Sequence, residues 1–143
     1  MSAITASKIT TEDFLQVLRA GMPSAASLPY EVVTLEHGLA VLRLTTGADA
    51  LRPGGTVAGP VLFGLADLAM YAAVMTVVGK LELAVTTDAT IHFLRRPRPG
   101  ALVARARVLK HGQRLVIGDI VIANDGDDAP VAHVVMTYSV PPS

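Results

Sequence analysis

The stretch GGTVAGPVLFGLADLAMYAAVMTVVG, residues 54–79, contains a single charged residue, Asp67. Pro60 suits the first turn of a helix because it has no N–H to leave unpaired, and Gly59 before it can act as a cap. Apolar residues occupy every side of the helix that follows, so it must be buried on all sides, either in a membrane or in a protein core. The stretch therefore predicts a long central helix over 60–78 that carries one carboxylate.

The segments on either side of this helix read as a short helix and a set of strands. TTEDFLQVLRAG predicts a helix over 10–20, capped by Thr10 or Thr11. Strands are expected within 31–46, around a tight turn at His37-Gly38, and within 83–140, where four period-two runs are separated by short turns. Short turns imply antiparallel neighbours. In the first of the four runs, plain alternation predicts a shared polar face for Thr86, Asp88, Thr90 and His92.

This order of elements predicts an α+β fold in which an antiparallel sheet of five to six strands wraps around one long central helix. The whole chain, 1–143, is then a single domain. The alternative is a transmembrane helix, since nineteen residues rise roughly 30 Å, about the thickness of a bilayer core. That arrangement would place Asp67 in the middle of the bilayer, where a charge is costly. The half-polar strands further favour a buried core helix.

The composition argues against several classes of function. The 143 residues are 51% hydrophobic and 17% charged, so part of the surface is expected to be buried between subunits. Cysteine is absent, and the four histidines have no metal-ligand spacing, so neither a disulfide nor a metal site is expected. A net charge of zero and six Phe or Tyr argue against nucleic acid. The first residues lack an apolar signal-peptide core, which favours the cytoplasm.

Five short motifs occur along the chain in a fixed order, and they resemble a known family. They are Ala58-Gly59-Pro60, Leu65-Ala66-Asp67, Val85-Thr86-Thr87-Asp88, Phe93-Leu94-Arg95-Arg96-Pro97 with Gly100, and Gly112-Gln113-Arg114. From about residue 10 to the end, the chain resembles the hotdog fold and, more narrowly, acyl-CoA thioesterases of the phenylacetate-degradation type. It departs from that family at Ala58, where His is usual, at Arg52, where many members have Asn, and at Pro60, the second Gly of the family turn.

The resemblance implies roles for three residues in the hydrolysis of a thioester. Asp67 would be the general base or nucleophile, and the amide at Gly59 would hold the thioester oxygen. Thr86 matches a position whose hydroxyl binds the carboxylate or the attacking water. Ala58, Pro60 and Arg52 would lie at the substrate. No cofactor is implied beyond the coenzyme A moiety of the substrate itself.

A basic segment follows the strand that contains Thr86. Seven of the twelve Lys and Arg fall between residues 95 and 114, and no acid lies among them. Arg95, Arg96, Arg98 and Arg114 suit the phosphates of coenzyme A, which arginine binds through paired hydrogen bonds. For each of them, a solvated place on the outer face of the sheet is the alternative.

Geometry adds a prediction about assembly. Gly59 and Asp67 are eight residues apart, so on one helix they lie roughly 12 Å apart along the axis and cannot both touch one reacting carbonyl. A second copy of the chain, with its helix packed antiparallel, would bring one protomer's Asp67 beside the other's Gly59. A homodimer or a dimer of dimers is therefore expected, with no membrane or nucleic acid partner.

Three alternatives to hydrolysis stay open at this point. The chain could be a non-catalytic acyl-CoA-binding hotdog protein, because Ala58 and Arg52 replace the usual polar residues. It could be a hotdog dehydratase, although that chemistry needs a histidine at the Ala58 position. Asp67 could also be a buried carboxylate with a structural role alone.

Overall fold

The computed structural model describes residues 6–22, 29–47 and 51–142. Two helices and eight strands follow one another within these ranges. In chain order they are α1 (Thr11–Gly21), β1 (Tyr30–Glu36), β2 (Leu39–Thr45), β3 (Leu51–Arg52), β4 (Thr56–Val57), α2 (Gly59–Val78), β5 (Val85–Phe93), β6 (Ala101–His111), β7 (Leu115–Asn124) and β8 (Pro130–Ser139).

Six of the strands form one antiparallel sheet in the order β1-β2-β6-β7-β8-β5, and β3 and β4 pair as a separate small hairpin. The sheet alternates as expected for a surface with one buried face. On β6, Leu102, Ala104 and Ala106 are fully buried, whereas Arg105 and Arg107 are exposed. The predicted α+β class, with an antiparallel sheet around one long central helix, is confirmed.

The central helix α2 is the core of the fold. Thirteen of its twenty residues are buried. An 18-residue stretch of this helix has a mean hydropathy of 2.0, which would suit a membrane span. However, 72% of that stretch is buried inside the protein. The helix contacts all six strands of the large sheet. Its lack of a polar side therefore follows from being enclosed by its own chain.

Gly118 on β7 allows this helix to lie close against the sheet. A Cβ at that position would be 2.6 Å from the Arg107 carbonyl oxygen and 2.6 Å from the Met70 Cε atom. Contacts that short do not occur without displacement, and the Arg107 oxygen belongs to the backbone of a paired strand. Any side chain at position 118 would thus push α2 away from the sheet.

The two helices begin differently. Thr10 caps α1 in a capping box with Asp13, as the side chain of each accepts a hydrogen bond from the backbone N–H of the other. For α2 the N-cap is Ala58, which makes no side-chain hydrogen bond, and Gly59 is the first helical residue. The expectation that Gly59 is the cap is therefore wrong by one residue.

A β-bulge at Thr87 breaks the alternation of β5. Thr86 pairs with Tyr138 and Asp88 with Thr137, which leaves Thr87 as an extra residue on its strand. Thr86 then faces α2, and Ala89 and Ile91 face it too, packed against the core. The expectation that Thr86 shares a face with Asp88, Thr90 and His92 is wrong because a bulge reverses the faces of all residues beyond it.

Candidate active site

Asp67 lies in the third turn of α2, and its side chain is held by two hydroxyl groups from the sheet. Thr86 Oγ1 donates to Oδ1 of Asp67 at 2.7 Å, and the Tyr138 hydroxyl donates to the same oxygen at 2.6 Å. Oδ2 accepts no hydrogen bond from the described residues, among which no buried side-chain oxygen lacks a partner. Oδ2 is therefore accessible, and it is the atom that a water or a ligand can reach.

Tyr138 is a donor in this arrangement over the whole ordinary pH range. Burial, followed by the hydrogen bond to the Asp67 carboxylate and its charge, raises the pKa of Tyr138 well above its usual range. Its ring stacks on that of Tyr71, with 6.0 Å between centroids, and the Tyr71 ring meets Phe14 of α1 edge-on at 6.2 Å. This aromatic column fixes the position of the hydroxyl that holds Asp67.

A cavity of about 960 Å³ opens beside Asp67. Its size falls within the range of small-molecule sites. The walls come from α1 and the residue after it, from one face of α2 and the segment that follows, and from the strands β1, β5 and β8. The lining residues are Gln16, Val17, Ala20, Gly21, Met22, Tyr30, Gly64, Asp67, Leu68, Tyr71, Lys80, Glu82, Ala84, Val85, Thr86 and Tyr138. Apolar surface predominates, and Asp67, Thr86 and Tyr138 form a hydrogen-bonded polar group in the wall.

Gly59 presents a backbone donor at the start of α2. The N–H groups of Val61 and Leu62 are directed to the Ala58 carbonyl, and Pro60 has none. The Gly59 N–H has no acceptor among the described residues, and the helix dipole makes this end favourable for negative charge. The Phe93 ring explains in part why the residue is glycine, since a Cβ would be 3.3 Å from the Phe93 Cζ atom.

The remaining predicted substrate residues fall into two groups. Ala58, Pro60 and Arg52 lie at the α2 N-terminus, and Arg95, Arg96 and Arg98 lie near them, because Thr56 Oγ1 donates to the Pro97 carbonyl at 3.0 Å. Arg98 pairs with Asp127 at 3.3 Å, with both side chains largely exposed, so this contact adds little stability. The four arginines are all exposed and surround the same end of the helix as the Gly59 amide.

Arg114 does not belong to this group within one protomer. It lies in the turn between β6 and β7, where its carbonyl accepts from the Val140 N–H after β8. The other arginines lie near the opposite end of these strands, about ten residues and roughly 30 Å away. One bound molecule therefore cannot contact both groups in a single protomer.

Sequence reasoning missed Tyr138. Its position could have been inferred from the inward-facing positions Val134, Met136 and Tyr138 of β8, because a buried tyrosine hydroxyl needs an acceptor. The acceptor of this hydroxyl is Asp67 because α2 packs across β8 at that residue. The periodicity of the sequence does not reveal where the two elements cross. Within the described ranges, the structure contains no group of three or more His, Asp and Glu that could hold a metal ion.

Comparison with known proteins places this site in context. Residues 54–131 match the Thioesterase superfamily. A candidate esterase of Saccharolobus solfataricus is 34% identical over 110 residues, which cover 77% of this chain and 72% of that protein. The crystal structure of a candidate thioesterase from Silicibacter sp. TM1040 has a TM-score of 0.82 and 39% identity, covering 98% of this chain and 95% of that one.

A third similar structure is the E. coli PaaI protein from the phenylacetic acid degradation operon. Its TM-score is 0.78 at 27% identity, and the match covers 93% of this chain and 96% of that one. These matches confirm the predicted hotdog fold. The residues matched by the superfamily, 54–131, include α2 with Asp67 and β5 with Thr86.

Proposed function

This chain belongs to the thioesterase superfamily, and we propose that it hydrolyses acyl- or aryl-acyl-CoA thioesters to the free acid and coenzyme A. The observation that carries the proposal is the arrangement of hydrogen bonds and open space around the Asp67 carboxylate. A carboxylate on an otherwise apolar helix faces a cavity, is fixed through one oxygen by two hydroxyls, and leaves the other oxygen accessible. A carboxylate with a purely structural role would have no need of an accessible oxygen beside a large cavity.

In the proposed reaction, Asp67 Oδ2 takes a proton from a water molecule as that water attacks the thioester carbonyl. Charge then develops on the carbonyl oxygen, where the Gly59 N–H donates a hydrogen bond. An oxyanion donor of this kind typically contributes about 3 kcal/mol to transition-state stabilisation. The thiolate of coenzyme A leaves as the carbonyl re-forms. Thr86 and Tyr138 orient the carboxylate throughout, and no cofactor is required.

The Gly59 that completes each site comes from a second copy of the chain. Within α2, Gly59 and Asp67 are separated by about 12 Å of helix, so one protomer cannot supply both groups to one carbonyl. The edge strand β5 offers the means of pairing. Three large apolar side chains at or next to it are more than half exposed, those of Val85, Phe93 and Leu94. An edge of this kind is a template for pairing with another strand.

Pairing of two β5 strands about a two-fold axis would be antiparallel and would bring the two α2 helices side by side. Phe93, which touches Gly59, would then approach the Val85 end of the partner strand, next to Thr86 and Asp67. The same arrangement carries Arg52, Arg95 and Arg96 toward the partner's catalytic carboxylate. We propose that these arginines bind the phosphates of coenzyme A there. The homodimer, or a dimer of dimers, is thus the functional unit.

The name of one similar structure also bears on the narrower assignment. The E. coli PaaI protein comes from a phenylacetic acid degradation operon, and the motif order of this chain resembles the same type. That resemblance supports the phenylacetate-degradation type of thioesterase. Ala58 and Arg52 favour one other candidate, a protein that binds acyl-CoA without turning it over, because both replace polar residues usual in that type.

A panel of acyl-CoAs with thiol release as the readout tests hydrolysis. Asp67→Asn keeps the size of the side chain and removes the base, so kcat/KM should fall by about 10²–10⁴-fold. Glu36→Gln is the control, since Glu36 is an exposed acid on β1, at the edge of the sheet opposite β5, and should leave kcat/KM unchanged. Binding of acyl-CoA by the unmodified protein, without thiol release from any member of the panel, would favour the non-catalytic candidate.

A further inference from the structure

Gly64 stands out among the small residues of α2. Ala66, Ala69, Ala72 and Ala73 are all fully buried, so packing against the sheet accounts for their size. Gly64 is exposed, and a Cβ built at this position would meet no described atom within 4 Å. Its φ angle is not positive, so the backbone does not require glycine either. Glycine is the poorest helix former apart from proline, and nothing described within the protomer explains its presence.

The position of Gly64 connects it to the candidate site. Gly64, Asp67, Leu68 and Tyr71 follow the spacing i, i+3, i+4 and i+7, so they share one face of α2, and all four line the cavity. Gly64 lies one turn from Asp67 toward the helix N-terminus, about 4.5 Å along the axis. A ligand atom beside Gly64 would therefore be about three bonds from a carbonyl carbon held at Asp67.

We infer that Gly64 is a specificity-determining residue, and that its missing side chain admits acyl groups with a branch or ring among the first carbons after the thioester carbonyl. This inference rests on the proposed function of the same cavity. A straight acyl chain is narrow at its first carbons and does not need the space. A branched or cyclic group fills it, and any side chain at position 64 would compete for the same volume. The preference for branched or cyclic acyl groups should accordingly fall as the side chain at position 64 becomes larger.

Two variants and matched substrates test the inference. Gly64→Ala and Gly64→Val both form helix more readily than glycine, so loss of folding is not an expected cause of any effect. Butyryl-CoA against isobutyryl-CoA, and heptanoyl-CoA against cyclohexanecarbonyl-CoA, compare a straight chain with a bulky group of equal carbon number. We expect Gly64→Val to lower kcat/KM for the bulky members by at least about 10-fold, with a smaller loss in Gly64→Ala and little change for the straight members.

The inference fails if the kcat/KM of all substrates falls equally or if none changes. It also fails if Gly64→Val converts a dimer to a monomer in light scattering, because the space would then belong to a subunit contact. Binding of the same four compounds by calorimetry, in an Asp67→Asn background, separates this test from the proposed hydrolysis. Absence of turnover by the unmodified protein would contradict the proposed hydrolysis. A rise in Kd on Gly64→Val that is confined to the branched and cyclic compounds would still support the role of Gly64.

Discussion

Asp67 and its two hydroxyl partners illustrate how the fold makes an apolar helix carry a charge. An unpaired buried carboxylate would be strongly destabilising, yet here one oxygen receives both donors and the other stays accessible. Thr86 is exposed and Tyr138 is buried, so the two donors are not equivalent. Water can replace the Thr86 hydroxyl, whereas nothing can readily replace that of Tyr138.

Tyr138→Phe is therefore expected to lower the free energy of unfolding by about 1–3 kcal/mol, the range for losing a buried hydrogen bond to a charged group. Thr86→Val should cost less. In an Asp67→Ala background the effect of Tyr138→Phe should shrink to less than about 1 kcal/mol, because the carboxylate acceptor is gone. Urea unfolding of the four proteins of this cycle measures the coupling. An equal cost of Tyr138→Phe in both backgrounds would contradict the assigned contact.

At the scale of elements, the bulge in β5 decides whether the site and the core can coexist. Thr86 must face α2 to reach Asp67, and Ala89 and Ile91 must face α2 to pack against the core. Regular alternation cannot satisfy both, because Thr86 and Ala89 are three residues apart. The extra residue Thr87 resolves this conflict.

Deletion of Thr87 should restore regular alternation and turn one of the two sets of side chains outward. We expect the free energy of unfolding to fall by at least about 2 kcal/mol, the scale of exposing one large apolar side chain. Thr87→Ala keeps the chain length and the bulge, so it serves as the control and should change stability by less than about 0.5 kcal/mol. A deletion variant as stable as the original protein would show that β5 needs no bulge.

The elements themselves could be predicted because hydrophobic periodicity is a local property. The helix expected over 60–78 is observed as Gly59–Val78, and a pattern that is apolar on all sides correctly indicated burial on all sides. The faces of β5 could not be predicted, since a one-residue bulge leaves no mark in the alternation before it. Tyr138 and the α1 wall of the cavity depend on contacts between distant segments, which no single stretch of sequence specifies.

At the scale of the whole molecule, the two parts of the proposed site lie about 12 Å apart along one helix, Gly59 at its N-terminus and Asp67 near its middle. Asp67 and its cavity lie toward the start of β5, and Gly59 with the exposed arginines lies toward its end. A single protomer thus holds half of each of two sites. The proposed two-fold dimer about β5 would join them, and it would give the exposed apolar residues of this edge and the Gly59 amide one common explanation.

Complementation between two defective chains tests this claim most directly. Gly59→Pro removes the N–H, and Gly59→Ala, which adds the same Cβ beside Phe93 but keeps the N–H, is its control. Homodimers of Asp67→Asn and of Gly59→Pro should both lack thioester hydrolysis. A heterodimer of the two, purified through a different tag on each chain, contains one site with both lesions and one with neither. We predict that it recovers half the activity of the unmodified dimer; a heterodimer as inactive as its parents would contradict a site shared between subunits.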